Sequence, residues 1–306
     1  MIILVTGGTG MVGRAMRTSL PDAYYISSKD CDLRNADSVQ NMFKDIKPDQ
    51  VIHLAARVGG IAANSNYLAD FYLENIQINT NVLSAAHTVG TKKVISLLST
   101  CVYPDRAIYP LTEDQIHNGP PHDSNYAYAY AKRMLDIQSR AYGDQYGCNF
   151  TTAIPNNLFG EHDNFDLEDS HVIPAIMRKM HEAKLNNENV VLWGDGSPLR
   201  EFTYSKDLAD ILIFLLEHYD ESYPINVGNT REYSIKEVAE MIAEIIGFDG
   251  KVLWDTSKPT GQHRKPSDNS RLIELGWRQE NYTDLRKALT KTYKWVILNY
   301  PNIRGV

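Results

Sequence analysis

The sequence predicts an α/β protein with a doubly wound parallel sheet and a smaller α/β lobe formed by its C-terminal part. Over the first 160 residues, short apolar runs rich in β-branched residues alternate with segments of helical spacing, which is typical of a parallel sheet covered by helices. A run of glycines lies between the first apolar run and the first helical segment. The 306 residues also suit two domains of about 150 residues each.

In the first half, we predict strands at 2–6, 23–27, 50–56 and 93–99, helices at 37–46, 70–89 and 126–146, and a strand then a loop over 149–160. The proline-containing stretch between 99 and 126 is long, and such loops are usually functional. Helix 70–89 has two apolar stripes where a surface helix has one. This pattern fits either a subunit contact or a helix wedged inside the monomer.

The second half has helical spacing near 173–184, 206–218 and 234–246, short strands near 190–193, 224–228 and 251–255, and a polar, basic loop at 256–270. We expect residues 1–160 to form a dinucleotide-binding domain to which 203–228 return. Residues 161–202 and 229–306 should form the smaller, substrate-binding lobe. That lobe would cover the carboxyl ends of the strands, where open α/β sheets bind ligands.

Composition and charge exclude several kinds of protein. The net charge of −7 argues against nucleic-acid or membrane partners, which select a basic face. The three cysteines lack C-x-x-C spacing, which favours reduced thiols and a cytoplasmic location. No stretch approaches the roughly 18 apolar residues of a membrane span, and the apolar start is too short for a signal peptide. No tight metal-ligand spacing appears either, so we expect no metal.

The glycine run TGGTGMVG (6–13) has the features of a dinucleotide-phosphate loop. Its glycines permit a tight turn and a close approach to a pyrophosphate, and the following helix offers unpaired amides to the phosphate charge. A kinase-type phosphate loop is excluded because no G-K-[ST] follows. The motif predicts a Rossmann-type cofactor site formed by Gly7, Gly10, Met11, Val12 and Gly13.

The end of the second strand favours NADP(H). NAD-binding domains usually place an acid there to bind the ribose hydroxyls, whereas this chain has Ser27-Ser28-Lys29, which suits a 2′-phosphate. Asp30 follows, so a strict preference for NADPH over NADH stays open. Further cofactor contacts are expected from residues near the ends of the second and third strands, namely Ser28, Lys29, Asp32, Leu33, Ala55 and Ala56.

Tyr128 and Lys132 form a Y-x-x-x-K pair on one face of a predicted helix. The ammonium should lower the pKa of the phenol, which then exchanges a proton with a carbonyl oxygen as hydride is transferred. The lysine can also hold the nicotinamide ribose. Ser99, at the end of a predicted strand, would donate a hydrogen bond to the same carbonyl. Tyr126 and Tyr130 have no lysine four residues later.

These motifs resemble the extended short-chain dehydrogenase/reductase family. Longer strings resemble its GDP-L-fucose synthases, including VGGIAANSNYLADF (58–71), STCVYP (99–104), NNLFGEHDNF (156–165), DSHVIPA (169–175), WGDGSPLREF (193–202) and SKPTGQHRKPSD (257–268). The resemblance covers nearly the whole chain. It implies an NADPH-dependent 3,5-epimerase/4-reductase that converts GDP-4-keto-6-deoxy-D-mannose to GDP-L-fucose.

By this resemblance, Cys101 is the base and His171 the acid of the epimerisation, and His171 also contacts the cofactor. A cationic histidine would lower the pKa of the thiol, and histidine can donate a proton near neutral pH. The resemblance also implies a homodimer through the helices near 71–89 and 128–142.

For the GDP-sugar, we expect a set of side chains that can bind its sugar, diphosphate or base, namely Asn157, Lys179, Trp193, Arg200 and Asp268. Arg200 resembles the arginine with which the family binds its substrate, and an arginine can hold phosphate bidentately. Lys179 stands where the family has an arginine, so its contact lacks the guanidinium fork. The segment 264–268 should close over the sugar or its phosphates.

Three other readings stay open on the sequence. The protein could reduce carbon 4 of a related GDP-sugar, such as a 6-deoxy-heptose, without epimerisation. It could be a nucleotide-sugar 4-epimerase or a dehydratase, although a dehydratase favours a Thr-Asp-Glu run where this chain has Ser99-Thr100-Cys101. It could be a cofactor-sensing protein without activity, because fold alone does not establish chemistry. Such a protein would not need Ser99, Tyr128 and Lys132 together.

Overall fold

The computed structural model describes residues 1–258 and 263–306, so four residues of the loop expected at 256–270 lie outside the described residues. The strands are β1 Ile3–Thr6, β2 Tyr24–Ile26, β3 Gln50–His53, β4 Lys93–Leu97, β5 Asn149–Pro155, β6 Asn157–Phe159, β7 Val190–Trp193, β8 Leu199–Tyr204, β9 Ile225–Val227, β10 Glu232–Ser234 and β11 Val252–Asp255. The helices are α1 Met11–Met16, α2 Ala36–Ile46, α3 Ile61–Asn66, α4 Leu68–Thr88, α5 Tyr126–Tyr146, α6 Val172–Asn186, α7 Ser205–His218, α8 Ile235–Ile246, α9 Ser270–Glu274 and α10 Leu285–Asn299.

A six-stranded parallel sheet forms the centre of the molecule, in the order β2-β1-β3-β4-β5-β9. Its middle strands are apolar and buried, as expected of a sheet covered on both faces. The chain runs from β1 outward to β2 and then returns to β3 on the other side of β1. This reversal opens a crevice at the carboxyl ends of β1 and β3. The predicted fold class is confirmed.

The second half of the chain contributes to this sheet before it forms its own layers. Helix α7 packs against α1 and β4, and β9 pairs with β5 at the edge of the sheet. The other strands form a three-stranded sheet, β10-β8-β6, and a two-stranded sheet, β11-β7. A separate apolar cluster, which includes Met177, Ile242 and Leu289, lies among α6, α8 and α10.

The end of the first half differs from the prediction. Residues 157–159 were expected in a loop but form β6, which pairs with β8. The reason is tertiary, because Phe159 is buried against the rings of Phe202 and Tyr204. A three-residue strand is too short to show a pattern in the sequence.

Two helices position the central site. Helices α4 and α5 lie side by side against the sheet, and α5 ends at Gly147, whose φ of +68° is the left-handed conformation that favours glycine. Helix α4 buries Ile78, Val82 and Ala85 but leaves Tyr72 exposed. In the described part of the chain, no helix has the length and apolar character needed to cross a membrane.

Candidate active site

The glycine loop packs tightly on the end of β3. Gly7 has a φ of +70°, and a Cβ there would lie 2.9 Å from the amide nitrogen of Ala55. A Cβ on Gly13 would lie 2.6 Å from the carbonyl oxygen of Gly7. Side chains at either position would therefore fill the space in which the loop, β3 and α1 meet. The loop, Ala55 and Ala56 all lie at the crevice between β1 and β3.

A row of three buried, hydrogen-bonded side chains lies behind this loop. Thr6 Oγ1 lies 2.7 Å from His53 Nδ1, and His53 Nε2 lies 3.1 Å from Asn79 Oδ1. Burial lowers the pKa of His53 to about 3, so the ring is neutral. Since the amide oxygen of Asn79 can only accept, Nε2 carries the proton and Nδ1 accepts from Thr6. The sequence analysis did not single out His53, which lies in an apolar strand without a motif.

The segment after β2 contains cations and also acids whose carboxylates are already hydrogen-bonded or ion-paired. Ser28 and Lys29 are exposed. The carboxylate of Asp30 accepts hydrogen bonds from the amide and hydroxyl of Ser27, at 2.8 and 2.7 Å, so it closes a turn. Arg34 is paired with Asp32 at 2.9 Å. The Asp30 carboxylate, which left the NADPH preference open, is therefore already hydrogen-bonded to Ser27. The exposed Lys29 side chain can reach a phosphate. Leu33 is buried in the core beside these residues.

Tyr128 and Lys132 share one face of α5, with the Lys132 Nζ 5.9 Å from the centre of the Tyr128 ring. Lys132 is buried and donates a hydrogen bond to the carbonyl of Leu97 at 2.8 Å. Burial lowers the pKa of Lys132 to about 8. Burial and the nearby Cys101 raise the pKa of Tyr128 well above its usual value. The expectation of a lowered phenol pKa is therefore wrong, because desolvation and the nearby Cys101 both raise it.

Cys101 lies in the 3₁₀ turn that follows β4. Its amide approaches the hydroxyl oxygen of Ser99, the residue that begins this turn, at 3.5 Å. Burial raises the pKa of the Cys101 thiol, against the opposing effects of Ser99, Lys265 and Lys132. The expectation of a thiol with a lowered pKa is thus also wrong, because the cationic neighbours do not offset the desolvation. The turn of Cys101 packs against α5, and Cys101 influences the pKa values of both Tyr128 and Lys132, so the three groups lie close together.

Two cations from the second half of the chain reach the same pocket. Lys265 lies in a crowded part of the cleft, where burial lowers its pKa, Cys101 opposes that change and Arg200 adds to it. Arg200 donates to the backbone carbonyl of Leu199 at 2.7 Å. Lys265 thus lies near both the thiol of Cys101 and the guanidinium of Arg200. The sequence analysis pointed to segment 264–268 but selected Asp268 from it, since only the fold shows which of its side chains enters the cleft.

A buried carboxylate fixes the segment that carries Lys265. Glu201 accepts hydrogen bonds from the amide and hydroxyl of Ser267, at 2.9 and 2.6 Å, and from Asn156 at 3.2 Å. Asp268 also helps to fix this segment, because its carboxylate accepts a hydrogen bond from the amide of Ser270 at 2.8 Å. The position of Lys265 is therefore set by its neighbours in the chain.

His171 precedes the first residue of α6 and has an accessible ring inside a crowded cleft. Burial lowers the pKa of His171, and Asp169 opposes this change. The carboxylate of Asp169 accepts a hydrogen bond from the amide of Gly60 at 2.6 Å. The neighbouring Gly59 lies against the ring of Phe71, which makes an edge contact with Tyr128. These contacts bring the His171 segment to the pocket of Tyr128.

The other residues expected to hold substrate lie around the outer cleft. Trp193 is exposed, and the ammonium groups of Lys179 and Lys258 lie 5.6 and 5.7 Å from its ring. Asn157 is exposed at the start of β6 and donates to the carbonyl of Glu201 at 2.8 Å. Among the described residues, no three His, Cys, Asp or Glu side chains are grouped as metal ligands would be.

The fold and this constellation define a class of enzyme. A parallel sheet with a glycine loop at its switch point, together with a serine, a tyrosine and a lysine in one pocket, is an arrangement for nucleotide-dependent redox chemistry at a carbonyl. The model of the NAD dependent epimerase/dehydratase family matches residues 3–228, so the chain belongs to that family.

Individual relatives narrow the group further. The GDP-L-fucose synthase of Dictyostelium discoideum is 44% identical, over 99% of this chain and 97% of that protein. A crystal structure of a GDP-L-fucose synthetase from Naegleria fowleri bound to NADP has a TM-score of 0.94 and 42% identity, covering 99% of this chain and 94% of that one. The chain is a member of the GDP-L-fucose synthase family.

A related activity occurs among its structural neighbours. A GDP-6-OMe-4-keto-L-xylo-heptose reductase from Campylobacter jejuni has a TM-score of 0.90 and 31% identity, with 97% of each chain covered. The overall fold therefore does not distinguish reduction with epimerisation from reduction alone.

Proposed function

We propose that the protein is an NADPH-dependent epimerase/reductase that converts GDP-4-keto-6-deoxy-D-mannose to GDP-L-fucose. It would invert carbons 3 and 5 and then reduce the ketone at carbon 4. The observation that carries this proposal is that the 3₁₀ turn of Ser99 and Cys101 packs against α5, the helix that carries Tyr128 and Lys132. One pocket thus presents both a thiol for inversion and a phenol for reduction. The family relationship supports the same activity.

The chain offers a fitting site for NADP(H). The absence of side chains at Gly7 and Gly13 lets the loop pack closely on Ala55 and on its own backbone, which suits a loop that presents its amides to a pyrophosphate. Ser28 and Lys29 are accessible for a 2′-phosphate. Met11, Val12, Asp32, Leu33, Ala55 and Ala56 would complete the contacts. Bound NADPH supplies the hydride. Because the carboxylate of Asp30 is held by Ser27, we expect it to repel the phosphate less than a free acid would.

Reduction needs a proton donor at the ketone oxygen. The raised pKa of Tyr128 keeps its phenol protonated at neutral pH, which is the form that donates when hydride arrives. Ser99 would donate a hydrogen bond to the same oxygen. Lys132 is held by the carbonyl of Leu97 and would contact the nicotinamide ribose while stabilising the phenolate left after donation.

Epimerisation needs a base and an acid on opposite faces of the sugar. We assign these roles to Cys101 and His171. The C–H bonds at carbons 3 and 5 are acidified by the ketone, so Cys101 would remove each proton and His171 would return one from the other face. Lys265 is a nearby cation that favours the thiolate. The ketone oxygen would meanwhile be held by Ser99 and Tyr128.

The two parts of the chain would divide the binding. Residues 1–160 with 203–228 would hold the cofactor, and residues 161–202 and 229–306 would hold the GDP-sugar. Arg200 and Lys265 supply positive charge for the diphosphate, and Trp193 with Lys179 supplies an exposed aromatic surface for the base. Asn157 would bond the sugar, and Asp268 would order the segment that closes over it.

The alternative is a GDP-sugar 4-keto reductase that does not epimerise, acting for example on a 6-deoxy-heptose. The structural similarity to the C. jejuni heptose reductase favours keeping this candidate. It would use Ser99, Tyr128 and Lys132 in the same way and leave Cys101 and His171 without a chemical role.

The test is to incubate the protein with GDP-4-keto-6-deoxy-D-mannose and NADPH in heavy water and to follow the product by NMR. We expect NADPH oxidation, deuterium at carbons 3 and 5, and a fucose-configured product. Cys101→Ser should suppress the labelling, whereas the matched thiol variant Cys148→Ser should not. An uninverted product without deuterium would establish the reductase alternative.

We also propose a cytoplasmic homodimer. Cys31, Cys101 and Cys148 are unpaired thiols, which suits a reducing compartment. Helices α4 and α5 form a shallow groove of about 550 Å³ on the surface, lined by Leu68, Ala69, Tyr72, Tyr126, Ala127, Tyr130 and Met134. A continuous apolar patch of this kind marks a contact surface.

A further inference from the structure

Asp169 is the strongest feature of the pocket without an assigned role. Its carboxylate lies between two parts of the chain, accepting the Gly60 amide at 2.6 Å and acting electrostatically on His171 two residues later. Gly60 is packed closely against it, because a Cβ at this position would lie 3.1 Å from the backbone oxygen of Asp169. The carboxylate is therefore fixed against Gly60, from where it influences the pKa of His171.

We propose that Asp169 is a positioning residue for His171, which holds the segment of His171 against Gly60 and supplies the negative charge that favours the imidazolium. This inference rests on the proposed function, in which His171 transfers a proton to the sugar. Asp169 itself touches neither substrate nor cofactor in this assignment. Its effect is exerted through the charge and orientation of the imidazole.

The electrostatic balance at His171 supports this role. Burial lowers the pKa of His171, and within the described residues Asp169 is the charged group that acts against it. The neighbouring Glu168 is exposed, its amide donates to Asp166 at 2.8 Å, and its carboxylate is not among the groups that influence the pKa of His171. Two adjacent carboxylates thus differ in whether they influence the pKa of His171.

This difference gives a matched pair of variants. Asp169→Asn keeps an oxygen that can accept from the Gly60 amide but removes the charge. Glu168→Gln removes the same charge one residue earlier. Both proteins should fold, because the hydrogen bond to Gly60 is retained in one and was never made by the other side chain. A difference between the two variants in the pKa of His171 would therefore depend on where the removed charge was located.

The first readout is an NMR titration of the histidine ring signals, with the His171 signal assigned from its loss in His171→Gln. We expect Asp169→Asn to lower the pKa of His171 by about one unit, as removal of a close opposite charge does. Glu168→Gln should leave it within a few tenths of a unit of the wild type. An unchanged His171 pKa in Asp169→Asn would overturn the proposal.

The second readout is the pH profile of deuterium incorporation at carbons 3 and 5. Burial raises the pKa of Cys101 and lowers that of His171, so the acidic limb of the profile follows His171. Asp169→Asn should shift this limb to lower pH by about one unit, and a limb that stays in place would contradict the proposal. A wild-type protein without any incorporation would instead refute the proposed function, while the titration would still decide the role of Asp169.

Discussion

At the scale of single residues, the pocket is governed by desolvation more than by neighbouring charges. Burial is the largest influence on the pKa of Tyr128, Cys101, Lys132 and Lys265. It disfavours the charged form of every one of them. Burial therefore favours the neutral phenol of Tyr128 and the neutral thiol of Cys101, and it disfavours the charged forms of the two neighbouring lysines.

Replacement of Tyr128 tests the proton donor. Tyr128→Phe should reduce the rate of NADPH oxidation by about 10²–10⁴-fold, because it removes the general acid, and should leave NADPH affinity within a few-fold of the wild type. The change is measured by stopped-flow fluorescence and cofactor titration. The control is Tyr146→Phe on the same helix, where the ring stacks on His87. Retained activity in Tyr128→Phe would exclude Tyr128 as the acid.

The sequence predicted which residues carry the chemistry but not their protonation. Spacing on a helix is enough to place Tyr128 and Lys132 on one face, and the distance between them agrees. The sign of a pKa shift depends on burial and on where Lys132 directs its ammonium, and both are set by the packed β4 strand. For the same reason Lys265 and Asp169, which act through space, lay beyond a motif-based analysis.

At the scale of elements, the loop before α6 contains a buried acid, Asp163, that takes no part in the proposed chemistry. Asp163 is 7% exposed, and its Oδ1 accepts from the amide of Asn164 at 2.7 Å. Its Oδ2 has no hydrogen-bond partner among the described residues. Burial raises the pKa of Asp163 to about 7 from an ordinary value of 3.8. Burial in this loop therefore favours the protonated form of the Asp163 carboxyl.

The folded protein should lose stability as pH rises across this window. The folded state binds the proton up to about pH 7 and the unfolded state only to about 3.8, so the free energy of unfolding falls between these values. Asp163→Asn stays neutral and should be about 1–3 kcal/mol more stable than the wild type at pH 8, with a smaller gain at pH 5. Urea unfolding at the two pH values measures this.

The control for that measurement is Asp144→Asn, which removes an exposed carboxylate from α5. It should change stability by less than about 0.5 kcal/mol at either pH. If Asp163→Asn gave the same gain at pH 5 as at pH 8, the loop carboxyl would not be the titrating group.

At the scale of the whole molecule, the exposed face of α4 and α5 is an apolar surface that suits a contact with a second protein chain. Tyr72, Tyr126, Tyr130 and Met134 are each at least 37% exposed and line one groove. Of the two apolar stripes in the sequence of α4, residues such as Val82 and Leu83 are buried within the monomer. Tyr72 is left for a contact outside it.

A charge in this groove should dissociate the proposed dimer. Met134→Glu places a carboxylate in the centre of the apolar surface, which costs several kcal/mol if the surface is buried in an interface. Sedimentation equilibrium should then show a 34.6 kDa monomer instead of a dimer. Leu298→Glu, at an exposed position on α10, should leave the dimer intact. A wild-type protein that is monomeric at micromolar concentration would contradict the proposal.

The architecture was largely predictable because its signals are local. Apolar runs, helical spacing and the glycine motif lie within short windows of sequence, and the parallel sheet follows from their alternation. The partners of β6 and of Ser267 were not predictable in this way. Each depends on residues 40 or more positions away, such as Phe202 for Phe159 and Glu201 for Ser267, and no local pattern encodes such a pairing.

The late arrival of β9 at the main sheet has a consequence for biosynthesis. A chain emerges from the ribosome with its N-terminal end first, so β5 is made about seventy residues before the strand that covers its edge. During that interval Ala153 and Ile154 present an apolar strand edge, the kind of surface that pairs with other chains. Nascent chains that end before residue 225 should therefore bind chaperones that longer nascent chains have already released.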